Sequence, residues 1–213
     1  MSYRVVLFDL DGTLADTIDL IVQAGQHACG AVLGWTPARD QLLLGLGRPL
    51  HLHLGEYTNS QEQLDELIAS YRGYQVAHHD ELTRPYDGVN DVVRWLHAEG
   101  RTLGVVTSKI EPLARRGLRL LGIEEYFPLI VGLESTTRHK PEPEPVLFAM
   151  ERLGAVPHDT VYIGDSPFDL RAAKGAGVAS VAVTWGAFDE AALAEQKPTH
   201  LARSASELRT VLL

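Results

Sequence analysis

The 213 residues contain one cysteine, Cys29, so no intrachain disulfide can form and no paired or CxxC spacing suggests a zinc site. Long apolar runs are missing as well. The first is short and is broken at Asp9, which argues against a signal peptide and a membrane span and makes the cytoplasm the expected compartment. No Lys/Arg cluster offsets the net charge of −9, which argues against a nucleic-acid partner. There is no P-loop GK[ST], and Gly45-Leu46-Gly47 runs on to Leu50 where a dinucleotide fingerprint needs a third glycine. No internal repeat or low-complexity tract occurs. What remains is an ordinary globular composition, 45% hydrophobic and 22% charged, long enough for one core with a large insertion or for two small domains.

The apolar segments that are present alternate with helical patterns. Val5 to Phe8, Leu103 to Thr107, Leu129 to Val131, Val161 to Gly164 and Val178 to Val183 read as buried parallel strands. Residues 88–99, Glu111 to Leu121 and Pro145 to Leu153 carry apolar residues at helical spacing between them. This pattern predicts an α/β doubly wound parallel sheet. Residues 17–80 differ: Ile18 to Leu33, Pro37 to Leu44, Leu50 to Tyr57 and Gln61 to His79 are helix-like, with no convincing strand. The expected organisation is an α/β core from residues 1–15 and 83–213, with an all-helical cap, 16–82, inserted after the first strand. Its connections would lie beside Asp9 and Asp11, as suits a mobile lid.

Four strand ends carry chemistry. The first strand runs into Asp9-Leu10-Asp11-Gly12-Thr13. Side chains two apart on an extended chain point the same way, so both carboxylates would project from the end of the sheet where α/β folds bind ligands. Acids held that close repel unless a cation sits between them, which suggests a divalent metal. Gly12 permits a tight turn, and Thr13 would put a hydroxyl at the mouth of the site. A plain surface turn also fits this segment. Thr107-Ser108-Lys109 offers hydroxyls and an ammonium for a phosphoryl group, or a helix N-cap. His139-Lys140-Pro141-Glu142-Pro143-Glu144-Pro145 presents Lys140 on a stiff arm, as an anionic transition state needs, or else as a solvated lysine before a helix. Gly164-Asp165-Ser166-Pro167-Phe168-Asp169 places Asp165 as a metal ligand or N-cap, with Asp169 able to orient Lys140 or a water.

Taken in order, D-x-D-G-T, a strand-terminal Thr/Ser, Lys-Pro and G-D-x-x-x-D resemble the haloacid dehalogenase superfamily across residues 4–186. The resemblance implies that Asp9 is the nucleophile that becomes an aspartyl phosphate and that Asp11 is the general acid/base. It implies that Mg²⁺ is held by the Asp9 carboxylate, the Asp11 backbone carbonyl and Asp165, while Thr107 binds a phosphoryl oxygen. Lys140 would neutralise charge, with Gly164 and Asp169 supporting. An acid at position 11 sets the chain apart from the dehalogenases and phosphonatases of this fold and leaves phosphatases and phosphomutases. The cap and the Thr107-Ser108-Lys109 triplet look closest to phosphoglycolate phosphatases and a bacterial pyrophosphatase branch, with a β-phosphoglucomutase-like mutase as the alternative. A phosphoaspartate signalling module is a weaker rival, since it needs neither a 65-residue insertion nor Asp11.

The expected substrate is then a small anionic phosphorylated metabolite, with Thr13, Ser108, Lys109 and the cap residue Arg48 binding it. His51/His53 and His78/His79 do not read as a metal site, and Met150 and the three tryptophans read as packing. A monomer or a homodimer fits equally.

Overall fold

The computed structural model describes residues 3–213, so the first two residues of the expected 1–15 segment lie outside the described part. In chain order the elements are β1 (Val5–Phe8), β2 (Ala15–Asp16), α1 (Ile18–Leu33), α2 (Arg39–Leu43), α3 (Leu50–Leu54), α4 (Gln61–His78), β3 (Arg84–Pro85), α5 (Val89–Ala98), β4 (Thr102–Val106), α6 (Glu111–Leu121), β5 (Leu129–Val131), α7 (Glu144–Leu153), β6 (Thr160–Gly164), α8 (Pro167–Ala176), β7 (Ala179–Val183), α9 (Glu190–Glu195), β8 (His200–Ala202) and α10 (Ala205–Leu212).

Six strands form one parallel sheet in the order β5-β4-β1-β6-β7-β8. The chain winds outward from β1 in both directions, so β1 lies at the switch point, where the carboxyl ends of β4 and β6 flank its own and open a crevice. Alternation along β1 feeds both faces. Val6 and Phe8 pack under α5, α6 and α10 with Val93, Leu118 and Leu208, while Val5 and Leu7 pack with Val146 and Met150 of α7 and Ala173 of α8. Continuous burial on both faces is why these strands are unbroken apolar runs.

Helices α1 to α4 make the insertion. Its small core joins Ala24, Ala28 and Cys29 of α1 to Leu54 of α3 and to Leu67 and Tyr71 of α4. α1 ends at Gly34, whose φ of 75° is the left-handed conformation that closes helices. α4 starts at Ser60, whose hydroxyl accepts from the Gln63 amide. A second apolar cluster, Ile18, Val22, Leu42 and Leu46 against Ala187 and Phe188, seats the insertion on the sheet domain.

Three details depart from the sequence reading. The insertion enters and leaves through a short antiparallel ribbon, Ala15 paired with Pro85 and Asp16 with Arg84, where a simple turn was expected at 82–88. α7 begins at Glu144, so Pro145 is its second residue, not its first. An additional edge strand and two helices, β8, α9 and α10, complete the domain beyond Val183. No helix among the described residues is long and apolar enough to cross a membrane.

Candidate active site

The sheet ladder itself aims the first functional side chains. The Asp9 amide donates to the Ile163 carbonyl at 2.8 Å and the Thr107 amide to the Val131 carbonyl at 2.9 Å, which fixes both residues just past their strands. Asp165 follows directly on β6. Asp9, Asp11, Thr107, Ser108, Lys109 and Lys140 all line one pocket, which is roofed by the helical insertion and encloses about 80 Å³.

Lys140 is the hub, only 2% exposed. Its Nζ lies 2.6 Å from Asp169 Oδ1 and 2.9 Å from Asp9 Oδ1, the latter contact out of line for a hydrogen bond. Burial alone would lower the lysine's pKa, but Asp169 and Asp9 outweigh it and hold the ammonium charged. Asp169 is saturated: Oδ1 accepts from Lys140 and Tyr162, and Oδ2 from the amide and hydroxyl of Ser166. Ser166 in return caps α8 by accepting from the Asp169 amide at 3.3 Å. A buried lysine thus gains a fixed position from an acid that is itself pinned to a helix start. Gly164 is required by the same packing, since a Cβ there would come within 2.4 Å of the Asp169 Cβ.

Asp165 is oriented from two sides, accepting from the Thr13 hydroxyl at 3.2 Å and the Ala187 amide at 2.9 Å. A Cβ on either Gly12 or Gly186 would fall 2.2 Å from its Oδ2, and Gly12 also holds φ +85°, so both glycines are dictated by this carboxylate. Thr13 is therefore buried beneath the site, not at its mouth as expected, because its hydroxyl is turned to Asp165.

Asp9, Asp165 and Asp169 bring one carboxylate oxygen each within 4.8 Å of one another. Burial, further raised by Asp169, lifts the Asp9 pKa to about 7 despite the opposing Lys140 charge. Burial, Asp169 and Asp9 likewise push Asp165 well above the usual carboxylate range. One lysine cannot balance three buried acids, and an oxygen-only donor set with a surplus of negative charge fits a hard divalent cation. Asp169 is the third acid by position, but its four hydrogen bonds make it a support.

β1 ends at Phe8, so Asp11 lies beyond the strand, where it lines the same pocket as Asp9. Its Oδ1 accepts from Thr17 Oγ1 at 2.6 Å and Lys109 Nζ at 2.5 Å. Lys109 is accordingly not a free charge at the mouth. It is 8% exposed and its ammonium is taken up by Asp11. Ser108 reaches the insertion instead, donating to the Gly47 carbonyl at 2.7 Å. Arg48 lines the pocket, pairs with Glu56 at 2.5 Å and lies over the Phe168 ring at 5.9 Å. Of the histidines, His51 faces His139 across the two parts of the chain at 6.4 Å, and no metal cluster among the described residues includes a histidine.

Sequence reasoning missed Tyr162, Thr17, Ala187 and Trp185. Tyr162 is hidden inside an apolar strand, yet its hydroxyl meets both Lys140 and Asp169. Trp185 was expected to do no more than pack, but its indole donates to the Thr13 carbonyl at 3.1 Å. A polar residue in the middle of a fully buried strand was the available signal for Tyr162.

A sheet with this switch point and this set of strand-end residues defines a phosphoryl-transfer hydrolase. The chain belongs to the haloacid dehalogenase-like hydrolases, whose family model matches residues 6–183. It is an enzyme, a phosphatase of that family, and its relatives narrow the branch. Pyrophosphatase PpaX of Halalkalibacterium halodurans is 36% identical over 217 residues, covering 100% of this chain and 98% of its own length. Pyrophosphatase PpaX of Anoxybacillus flavithermus is 34% identical over 212 residues, covering 100% and 97%. Among solved structures, a predicted phosphatase from Clostridium acetobutylicum matches with a TM-score of 0.89 at 28% identity, covering 100% of this chain and 99% of that one.

Proposed function

We propose that this phosphatase is an Mg²⁺-dependent pyrophosphatase working through an aspartyl phosphate on Asp9. The reaction rests on one observation, that Asp9, Asp11, Thr107 and Lys140 line a single pocket. The substrate rests on the full-length likeness to two pyrophosphatases.

An Asp9 carboxylate oxygen attacks phosphorus, and the bond from phosphorus to the bridging oxygen breaks. Asp11 gives that oxygen a proton as it leaves. Asp11 then takes a proton from a water that attacks the same phosphorus, the bond to Asp9 breaks, and orthophosphate and a free carboxylate are regenerated. Lys140 stays charged throughout and holds Asp9 in place while offsetting the charge that builds up on the phosphoryl oxygens. Thr107, 5% exposed, supplies a hydroxyl beside them. Asp9 and Asp165, with the Asp11 carbonyl, would hold Mg²⁺, which when bound polarises the phosphoryl group and neutralises the acids. Lys109 keeps Asp11 oriented.

Phosphate release should be measured from pyrophosphate, 2-phosphoglycolate, β-glucose 1-phosphate and nucleoside monophosphates, with Mg²⁺ and with excess chelator. The expected result is a preference for pyrophosphate that chelator abolishes and added Mg²⁺ restores. A preference for another substrate overturns the pyrophosphatase reading, and a rate indifferent to chelator overturns the metal. Because metal must displace a proton from Asp9 below about pH 7, Mg²⁺ affinity should fall as the pH drops through that value, which calorimetric titration at pH 6 and pH 8 would read.

A further inference from the structure

Three polar side chains of the helical insertion have no task in the chemistry above. His53 of α3 and Tyr71 and Gln75 of α4 are each at least nine-tenths buried, at 6%, 6% and 5% exposure, and all three line the catalytic pocket. Tyr71 and Gln75 are one helical turn apart and so share a face. His53 has no hydrogen bond at either ring nitrogen, and Nε2 is fully enclosed. Neither the Tyr71 hydroxyl nor the Gln75 amide has a hydrogen-bond partner among the described residues. A fully buried polar atom with no partner is rare, and His53 Nε2 is one. The Tyr71 hydroxyl and the Gln75 amide stand unpaired beside it on the same wall of the pocket, so together the three offer a ligand a set of open hydrogen-bonding groups.

The local packing is built to keep them there. Gly45 has to be glycine, because a Cβ would fall 2.1 Å from the His53 ring. Burial lowers the His53 pKa, with nearby Arg48 adding to that and only Glu56 opposing, so the imidazole presents one donor and one acceptor.

We propose that His53, Tyr71 and Gln75 form a leaving-group subsite that hydrogen-bonds the distal phosphate of pyrophosphate. The assignment of that occupant rests on the pyrophosphatase reading. Neutral donors suit it, since a phosphate group leaving beside Asp11 is partly protonated, and Arg48 at the same pocket wall is already paired with Glu56. The subsite then selects by what leaves, while Asp9, Thr107 and Lys140 hold the part that is transferred.

The test compares pyrophosphate with phosphoramidate, whose leaving group, ammonia, has no oxygen for the subsite to bind. Wild type, His53→Phe, Gln75→Leu and Tyr71→Phe are assayed with both. The ratio of kcat/KM for pyrophosphate to that for phosphoramidate should fall about 10-fold or more in each variant, mostly through KM. An unchanged ratio, with both substrates falling together or neither falling, overturns the subsite. Tyr71→Phe removes a single oxygen and keeps the test valid if a bulkier change does not fold. A wild type active on phosphoramidate but inert to pyrophosphate overturns the pyrophosphatase reading, and the occupant with it.

Discussion

Asp9→Asn is expected to cut turnover by about 10⁴-fold or more on every substrate while leaving the fold in place. The amide cannot attack phosphorus and is a poorer ligand for a hard cation. Its shape nearly matches, and the Lys140 to Asp169 pair at 2.6 Å survives without it. Stability follows the titration of the acid being removed. The folded pKa of about 7 lies above the ordinary aspartate value of 3.8, so in metal-free protein this group's contribution is fully present below about pH 4 and is lost as the pH rises through 7. Metal-free Asp9→Asn should therefore match the wild type near pH 4 and melt higher at pH 8. Phosphate release and thermal melts at both pH values check the two halves, and appreciable residual turnover would remove Asp9 as the nucleophile.

Lys140→Met should damage both activity and fold. The side chain fits by volume, but it leaves Asp9 and Asp169 buried with no counter-charge, and breaking a buried pair from one side costs about 3–5 kcal/mol. Asp9 would then hold its proton to still higher pH, so the loss should be greater at pH 8 than at pH 5 and should shrink when Mg²⁺ is added. Turnover should fall about 10²–10³-fold, the scale of one lost electrostatic contact to a developing charge. Urea denaturation at the two pH values reads the first effect and steady-state phosphate release the second. A variant as stable as the wild type at pH 8 would contradict the view of Lys140 as the hub of the site.

Both residues are legible in the amino-acid sequence. Asp9 and Asp165 each end an apolar run, which marks them out, while Lys140 sits in a proline-rich arm that also fits a solvated lysine and stands out only with the other three motifs beside it. The central strands are legible because burial on both faces leaves an unbroken apolar signature. What escapes depends on partners distant in sequence. The ribbon pairing Ala15–Asp16 with Arg84–Pro85 is two residues long on each side, and Pro85 reads as a turn. β8 is three residues at the sheet edge and includes His200, so it carries little apolar pattern. Lys109 looks like a free cation because nothing near it in sequence shows that Asp11, 98 residues away, takes its ammonium. Thr13 looks like a mouth residue for want of any sign that Asp165 lies behind it. The unpaired wall of His53, Tyr71 and Gln75 exists only once α3 and α4 are folded over the sheet.

The most direct test of the central claim, phosphoryl transfer through Asp9, is intact-protein mass spectrometry of Asp11→Asn mixed with Mg²⁺ and pyrophosphate. Without an acid at position 11 the attacking water is not activated, while pyrophosphate can still phosphorylate Asp9 slowly. A species heavier by one phosphoryl group is expected, mapped by peptide analysis to Asp9 and absent from Asp9→Asn. Turnover by Asp11→Asn with no phosphorylated species at any time, or a phosphoryl group mapped to another residue, would contradict it.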